Sequence, residues 1–509
     1  MRNILTALAA CILSIGAGAQ TTVLKVSARA YIGQTGALMV TNDFVSGHRT
    51  LVSSFEVPED GILKLEFEQD ATHVYDIQIN GIYGRLVTEP GGSYDFTFPA
   101  ITGKRIYTLR SNQVDLEFSK SPDNINLWIA RYNQQYDNYF SAHADDIAVS
   151  EFGGSSSYLD SRRSKLAATG LVNEERQDTN RVAGDVNFLD IANGFEEITI
   201  TGLENQMRNQ FFADYVNFSI AYAKLSAGAS KEQLFSEYIE GHATSANNPE
   251  YCAFIDAFYG NYFQGQGMGK KDYEILRGVN VKRNPVELDS VLTDHDNWSD
   301  GEVRRLAILI NLFHANYQVG WDKTGIKATL ERVSEAEGFE RYTGVAESIL
   351  SEIAIGQTGS EISDFRFIDY NNEVYTNETF AGKFTYFVFF TSWCRTCIPE
   401  FKSLEKLYIK YDRQVEIVLV NLDEDYLTYL DFLQQHPEME GTIVYGLSEP
   451  MVFDVFNIQA VPEAVLMSPE GKLIYDYTRK PSEGVSIQIE KLINRKPGLT
   501  RPRVGSKTN

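Results

Sequence analysis

Apolar and polar positions change rhythm twice along this chain. From Thr22 to about Phe118 they alternate: Leu63, Leu65 and Phe67 are interleaved with Lys64, Glu66 and Glu68, and Tyr75, Ile77 and Ile79, then Tyr94, Phe96 and Phe98, repeat the pattern. Turn formers separate these runs at Pro58-Glu59-Asp60-Gly61, Asn80-Gly81 and Pro90-Gly91-Gly92. Side chains alternate across a strand, so period-two runs with such punctuation predict a small antiparallel sandwich or barrel of roughly five or more strands over residues 20–118.

From residue 119 to 356 the period becomes helical. Trp128, Tyr132, Tyr136 and Phe140 fall on one helix face, and Ser299-Asp300-Gly301-Glu302 reads as a capping box before Val303, Leu306, Ile310 and Phe313. The aromatic stripes are read as helix–helix core. Residues 153–157 are read as a loop. Gly356 to Ser363 is a short linker, and residues 357–494 then alternate strands with helices. Phe384 to Phe390 is a nearly unbroken apolar run, as expected of a strand buried on both faces. A helix is expected from about Cys394, with Phe401, Leu404, Leu407, Tyr408 and Tyr411 on one face. Val415 to Val420 predicts a second buried strand, Tyr426 to Leu433 a helix, and Ile443 to Tyr445 a strand. Ser448 is expected to cap a helix carrying Met451, Val452 and Val455, and Ala464–Met467 with Lys472–Tyr477 to form a hairpin. Residues 495–509, with Arg495, Lys496, Arg501, Arg503 and Lys507, read as a disordered basic tail. The fold class is therefore multidomain: a β-rich, sandwich-like front, an α-helical middle, and a C-terminal α/β domain.

The first 19 residues change the setting. Arg2, the apolar stretch Ile4–Ile15 and the small-residue site Ala17-Gly18-Ala19 read as an export signal, too short to span a bilayer. Leu8-Ala9-Ala10-Cys11 also matches a lipoprotein box, but Ile12-Leu13 continue the apolar run, so anchoring through Cys11 is the lesser reading. No direct membrane span is expected elsewhere. The net charge is −23, and one unit more negative without Arg2, which argues against nucleic-acid binding and reads as solubility. Removal of the signal leaves Cys252, Cys394 and Cys397. Such a chain is held by its cores, not by staples. Cys252, among Tyr251, Phe254 and Phe258, reads as a buried structural thiol.

The chemistry lies in Thr391-Ser392-Trp393-Cys394-Arg395-Thr396-Cys397. Two cysteines three apart at a helix start close a disulfide with little backbone movement. The first sulfur then lies where the helix dipole favours negative charge, with Arg395 adding more, so Cys394 is the expected nucleophile. It attacks a substrate disulfide, and Cys397 resolves the mixed disulfide.

With Phe384–Phe390 before it and Val461-Pro462 downstream, Trp393-Cys394-x-x-Cys397 resembles the thioredoxin superfamily, and more closely its exported TlpA/ResA-type thiol–disulfide oxidoreductases. The resemblance covers about a quarter of the chain. It implies a thioredoxin-like fold for residues 357–494 and a cis Pro462 beside the disulfide. It also implies a substrate groove including Trp393, Arg395 and Val461, and a proton-relaying role for Glu400, three residues after Cys397. Three positions depart from the pattern. Val388 stands where thioredoxin keeps an acid. Thr396 replaces a proline, and its hydroxyl and lack of ring constraint bear on the redox potential. Glu463 replaces a small or neutral residue. The expected partners are disulfide-containing envelope proteins in the periplasm and a membrane thiol–disulfide electron donor. No cofactor or metal is expected: one CxxC supplies two thiolates, and the His residues lack ligand spacing. A peroxiredoxin would need a proline where Phe387 stands. The alternative from another class is a binding protein whose residues 20–356 recognise a partner or glycan, with the thioredoxin-like domain as scaffold. Trp393 beside Cys394 argues against pure scaffolding.

Overall fold

Period-two alternation becomes two packed sheets. The strands are β1 (Gln20–Ser27), β2 (Thr35–Thr41), β3 (Arg49–Glu56), β4 (Ile62–Gln69), β5 (His73–Ile79), β6 (Ile82–Thr88), β7 (Ser93–Thr97), β8 (Gln113–Val114) and β9 (Glu117–Phe118). They are ordered β4-β1-β7-β9 and β3-β2-β5-β6-β8. This computed structural model describes residues 19–100, 113–119, 123–152, 187–260, 262–263, 270–411, 414–423, 426–437, 439 and 441–494. The export segment with Cys11 (Ala19 apart), the loop expected at 153–157 and the tail 495–509 lie outside the described residues. Asn80 (φ 51°) and Gly81 (φ 71°) form the two-residue turn between β5 and β6, a conformation that Asn-Gly adopts at little cost. Two pairings, β1 with β7 and β6 with β8, are parallel where only antiparallel neighbours were expected. Alternation reports which face is buried, not which way the neighbouring strand runs.

The helical middle shares the sandwich's core. Helix Ile125–Ala142 packs Tyr132 against Phe195 and Phe212, and the same cluster contains Leu24, Ile77 and Phe96. Helix Gly301–Ala315 runs through a second core and buries Leu306, Ala307, Ile308, Leu309 and Leu312 completely. Its cap is one residue later than the capping box suggests. Asp300 accepts from Val303 N–H at 3.0 Å, while Glu302 accepts from the Tyr342 hydroxyl. Cys252, in helix Pro249–Tyr259, is a free buried thiol that donates to the Ala246 carbonyl, and burial pushes its pKa well up.

The C-terminal sheet contains β10 (Arg366–Ile368), β11 (Val374–Thr376), β12 (Phe384–Phe390), β13 (Val415–Asn421), β14 (Thr442–Tyr445) and β15 (Glu463–Met467), ordered β11-β10-β14-β13-β12-β15. Strands β12, β13 and β14 are parallel, with Phe390 level with Asn421 and Asn421 level with Tyr445. β15 is antiparallel, with Glu463 level with Phe389. The expected hairpin forms around its turn, where Ser468 N–H donates to Lys472 O and Ile474 N–H to Leu466 O, and the second arm, Lys472–Tyr477, does not continue as a regular strand. The linker bonds the other edge of this arm: Ile362 N–H donates to Gly471 O, and Leu473 N–H to Ser360 O. Ser448 does not cap the helix Val452–Val455. Its hydroxyl oxygen accepts from Ile368 N–H, and Glu449 serves Met451 N–H.

The front sandwich grips the segment that follows β14. Thr35 hydroxyl donates to Ser448 O (3.3 Å), Gln78 Nε2 to Pro450 O (2.6 Å) and Tyr445 hydroxyl to Asn80 Oδ1 (3.1 Å). Arg49 pairs with both oxygens of Asp454 at 2.9 and 2.8 Å. Arg49 also reaches the fully buried Asp76, which Arg85 holds from the other side. One nitrogen, Nη2, reaches both oxygens of Asp454 while Nη1 reaches Asp76, so the guanidinium bridges the two carboxylates.

Candidate active site

Four chain segments meet at one end of the C-terminal sheet. β12 ends at Phe390 and runs into the cysteine loop. β13 ends at Asn421 and runs into Asp423, and β15 begins at Glu463 after a cis Val461–Pro462 peptide. The fourth segment, after β14, carries the grip of the front sandwich. Six strand residues of β12, Thr385–Phe390, are buried, so the strand is a rigid base for its loop.

Cys394 and Cys397 are joined in a disulfide, S–S 2.10 Å and Cα–Cα 5.3 Å. Cys397 N–H donates to Cys394 O (3.1 Å) and Glu400 N–H to Cys397 O (3.0 Å). Regular helix begins only at Ile398, one turn later than the sequence suggests. Cys394 is 5% exposed and Cys397 1%, while Trp393 beside them is 41% exposed. Arg395 is exposed, Val461 is half-buried and Pro462 is buried.

Glu400 is buried one turn beyond Cys397, and both of its oxygens are occupied. Oε2 accepts Ser482 N–H at 2.7 Å, and Oε1 accepts the Ser482 hydroxyl at 2.6 Å. Ser482 lies in the short turn Pro481–Glu483, which packs on the start of the helix. Glu400 also faces the buried Tyr386, whose hydroxyl burial pushes well above its ordinary range.

Sequence reasoning missed the support beneath the cysteine loop. Asp423, 1% exposed, accepts from Ser392 N–H (3.0 Å), from the Ser392 hydroxyl (3.1 Å) and from Asn421 Nδ2 (2.7 Å). Asp423 N–H returns a bond to Asn421 Oδ1 at 3.0 Å. The available signal was the break in polarity: Asn421-x-Asp423 ends an apolar strand, and buried polar side chains there need partners. Ser482 carried no signal, because it is brought to Glu400 from 82 residues away.

Glu463 is half-buried, and desolvation raises its carboxyl above the ordinary 4.5, reinforced by Glu483 and opposed by Ala464 N–H and Lys480. The folded state therefore holds this proton more tightly than the unfolded chain. Its destabilising contribution is full above the folded value and fades as pH falls through that value towards the unfolded one. Glu463→Gln is expected to raise the urea midpoint at neutral pH, with a gain that shrinks in mild acid. A variant less stable at neutral pH would contradict the assignment.

Among the described residues, no group of three or more His, Cys, Asp or Glu is arranged to hold a metal, and no helix is long and apolar enough to cross a membrane. A cavity of about 590 Å³ lies at the junction of the three parts, lined by His48, Arg49, Glu352, Glu361 and Asp454, and none of Trp393–Glu400 lines it.

Residues 382–473 match the thioredoxin-like family model. The ResA thiol–disulfide oxidoreductase of Halalkalibacterium halodurans is 26% identical over 181 residues, 34% of this chain and 94% of the relative. That of Bacillus subtilis is 28% identical over 150 residues, 28% of this chain and 78% of the relative. A solved thiol:disulfide interchange protein from Bacteroides sp. superposes with TM-score 0.25 at 22% identity, covering 28% of this chain and 92% of that one.

Proposed function

The C-terminal domain being thioredoxin-like and related to ResA thiol–disulfide oxidoreductases, we propose that the whole chain is an exported reductase of protein disulfides that works through a Cys394–Cys397 dithiol–disulfide cycle. The observation that carries the reading is the cysteine pair itself, closed at the end of a buried strand with an exposed tryptophan beside it. In the reduced protein the Cys394 thiolate attacks a substrate disulfide and expels one substrate thiolate. Cys397 then attacks Cys394 Sγ, re-forms the internal disulfide and expels the second. Two electrons pass to the substrate, and its two thiolates are protonated by the proton of Cys397 and by one from solvent.

Glu400 is assigned as the group that holds or passes the Cys397 proton, with Ser482 fixing its orientation. Trp393, Arg395, Val461 and the cis Pro462 form the groove, and the substrates are envelope proteins of the periplasm. Recharging then falls to a membrane thiol–disulfide donor. Residues 20–118 favour an added role in choosing substrate, because they are docked at the same sheet end as the cysteine loop. Equilibration of the full chain against defined thiol buffers tests the direction of flow. A reductant gives a potential at or below about −230 mV, whereas a value near about −120 mV makes the protein a disulfide donor.

A further inference from the structure

The sandwich and the helical middle share a core, but the C-terminal domain keeps its own. The core built on Phe387, Phe389, Val418 and Leu466 takes in, among the described residues, no side chain from before Ile362. By contrast, Leu24 and Phe96 of the sandwich cluster with Tyr132, Phe195 and Phe212 of the helices. His48 of the sandwich also pairs with Glu352 of helix Thr343–Ala354 at 2.7 Å. The bonds that cross to the C-terminal domain are polar: Thr35 to Ser448, Gln78 to Pro450, Tyr445 to Asn80 and Arg49 to Asp454. Where the β5–β6 turn approaches Leu447 and Phe453 it presents Gly81, which has no side chain to bury. The cavity of about 590 Å³ lies along the same border, between Thr50 and Leu51 of β3, Ile355, and Val455 and Phe456. A border packed like a protein interior leaves no void of that size.

The covalent connection is short. Ile355, Gly356 and Gln357 lead from helix Thr343–Ala354 into the domain. From Thr358 the chain is bonded into it: Asp476 N–H donates to the Thr358 hydroxyl oxygen at 3.1 Å, and Gly359 N–H to Leu473 O at 2.7 Å. Gly356 has φ 73°, a conformation that costs glycine nothing sterically, and a few such residues suffice to absorb a hinge motion.

We infer that residues 358–494 are a hinged body, turning about Ile355–Gln357 and latched to the sandwich by Arg49 and Asp454, and that the latch selects by size the partners that reach Cys394. The selection rests on the dithiol–disulfide reading of the site, whereas the hinge and the latch do not. Each crossing bond, exchanged against water on release, is worth roughly two- to tenfold in the equilibrium, so a polar border of this kind opens and closes. When latched, the sandwich stands at the cysteine end of the sheet. The Asn80-Gly81 turn lies beside β14, and β12 is two strands away, about 10 Å. An extended chain occupies about 5 Å in that direction and passes the turn. A folded domain about 30 Å across meets the sandwich on that side. Latching therefore favours unfolded substrates, and release admits folded ones.

Asp454 is partly exposed, so Asp454→Lys is expected to fold while setting like charge against Arg49. Small-angle X-ray scattering of the full chain should give the variant the larger radius of gyration. The reduced chains are then mixed with a thionitrobenzoate mixed disulfide carried either by a short peptide or by the surface thiol of folded serum albumin. Cys394 thiolate expels the coloured thionitrobenzoate, and Cys397 then closes the internal disulfide and releases the carrier thiol. The parent is expected to prefer the peptide. Asp454→Lys should narrow that preference about tenfold, with the peptide rate near the parent's. Asp454→Ala, which adds no positive charge to attract albumin, should fall between the two. Identical scattering of parent and Asp454→Lys would overturn the hinge. A larger radius with an unchanged preference, or a joint fall of both rates, would overturn the selection by size. A parent that reacts with neither carrier would remove the reductase reading and leave the hinge to the scattering.

Discussion

With Cys397→Ser, turnover of protein disulfides by the full chain is expected to stop, and the substrate to remain covalently attached through Cys394. The first step needs only the Cys394 thiolate, 5% exposed beside the exposed Trp393. The second needs a thiol already positioned against Cys394 Sγ. Cys397 is so positioned, with the two Cα atoms 5.3 Å apart. An outside thiol at millimolar concentration replaces it poorly, since tethered reactants reach effective molarities of about 10⁵ M or more. Cys252 offers no substitute, being 3% exposed and engaged with backbone carbonyls. The trapped species is read on a non-reducing gel as a band that dithiothreitol removes. Cys394→Ser should give no such band. That pair of results also separates an oxidoreductase from a binding protein with a thioredoxin-like scaffold. A binder would keep its partner through Cys394→Ser and form no disulfide adduct with Cys397→Ser.

Much of the architecture was legible because its signals are local. β12 could be read from seven consecutive residues, since an unbroken apolar run is what burial on both faces demands. The Asn80-Gly81 turn needed only two residues with positive φ. The spacing of Cys394 and Cys397 is likewise local, and the structure joins them. What stayed hidden depends on chain far away. The parallel neighbours of β1 and β6 follow from how the chain returns, which no periodicity encodes. The linker at Ser360 and Ile362, which bonds the outer edge of the hairpin's second arm, gave no signal of that contact. The carboxylate of Glu400 was visible, but its partner Ser482 was not. The docking of the front sandwich on the segment after β14 had no signal either, as Arg49 and Asp454 lie 405 residues apart. It places the β5–β6 turn two strands from the cysteine-bearing strand, at the same sheet end.

Asp423→Asn is expected to weaken both the domain and its chemistry, although the change is isosteric. The carboxylate accepts from Ser392 on one side and from Asn421 Nδ2 on the other. An asparagine amide turned to serve Ser392 with its oxygen presents its NH₂ group to Asn421 Nδ2, donor against donor. In a site 1% exposed, water does not intervene cheaply, and an unsatisfied buried donor costs about 1–3 kcal/mol. The urea midpoint should fall accordingly. Ser392 is held less firmly, and it sits two residues before Cys394. Alkylation of Cys394 and disulfide turnover are therefore expected to slow together. Misplacing a reacting group by about 1 Å costs up to about a hundredfold. The exchanged pair, Asn421→Asp with Asp423→Asn, supplies the control. It moves the carboxylate to position 421, where it accepts from the side-chain amide introduced at position 423. It also keeps the bond from the backbone N–H of position 423, which Asn421 Oδ1 accepts in the parent. The double variant should recover more than half of the lost stability, and Asn421→Asp alone should not. Additive losses in the double variant would mean that Asp423 acts by its charge on the cysteine loop, and not as the acceptor that holds Ser392 in place.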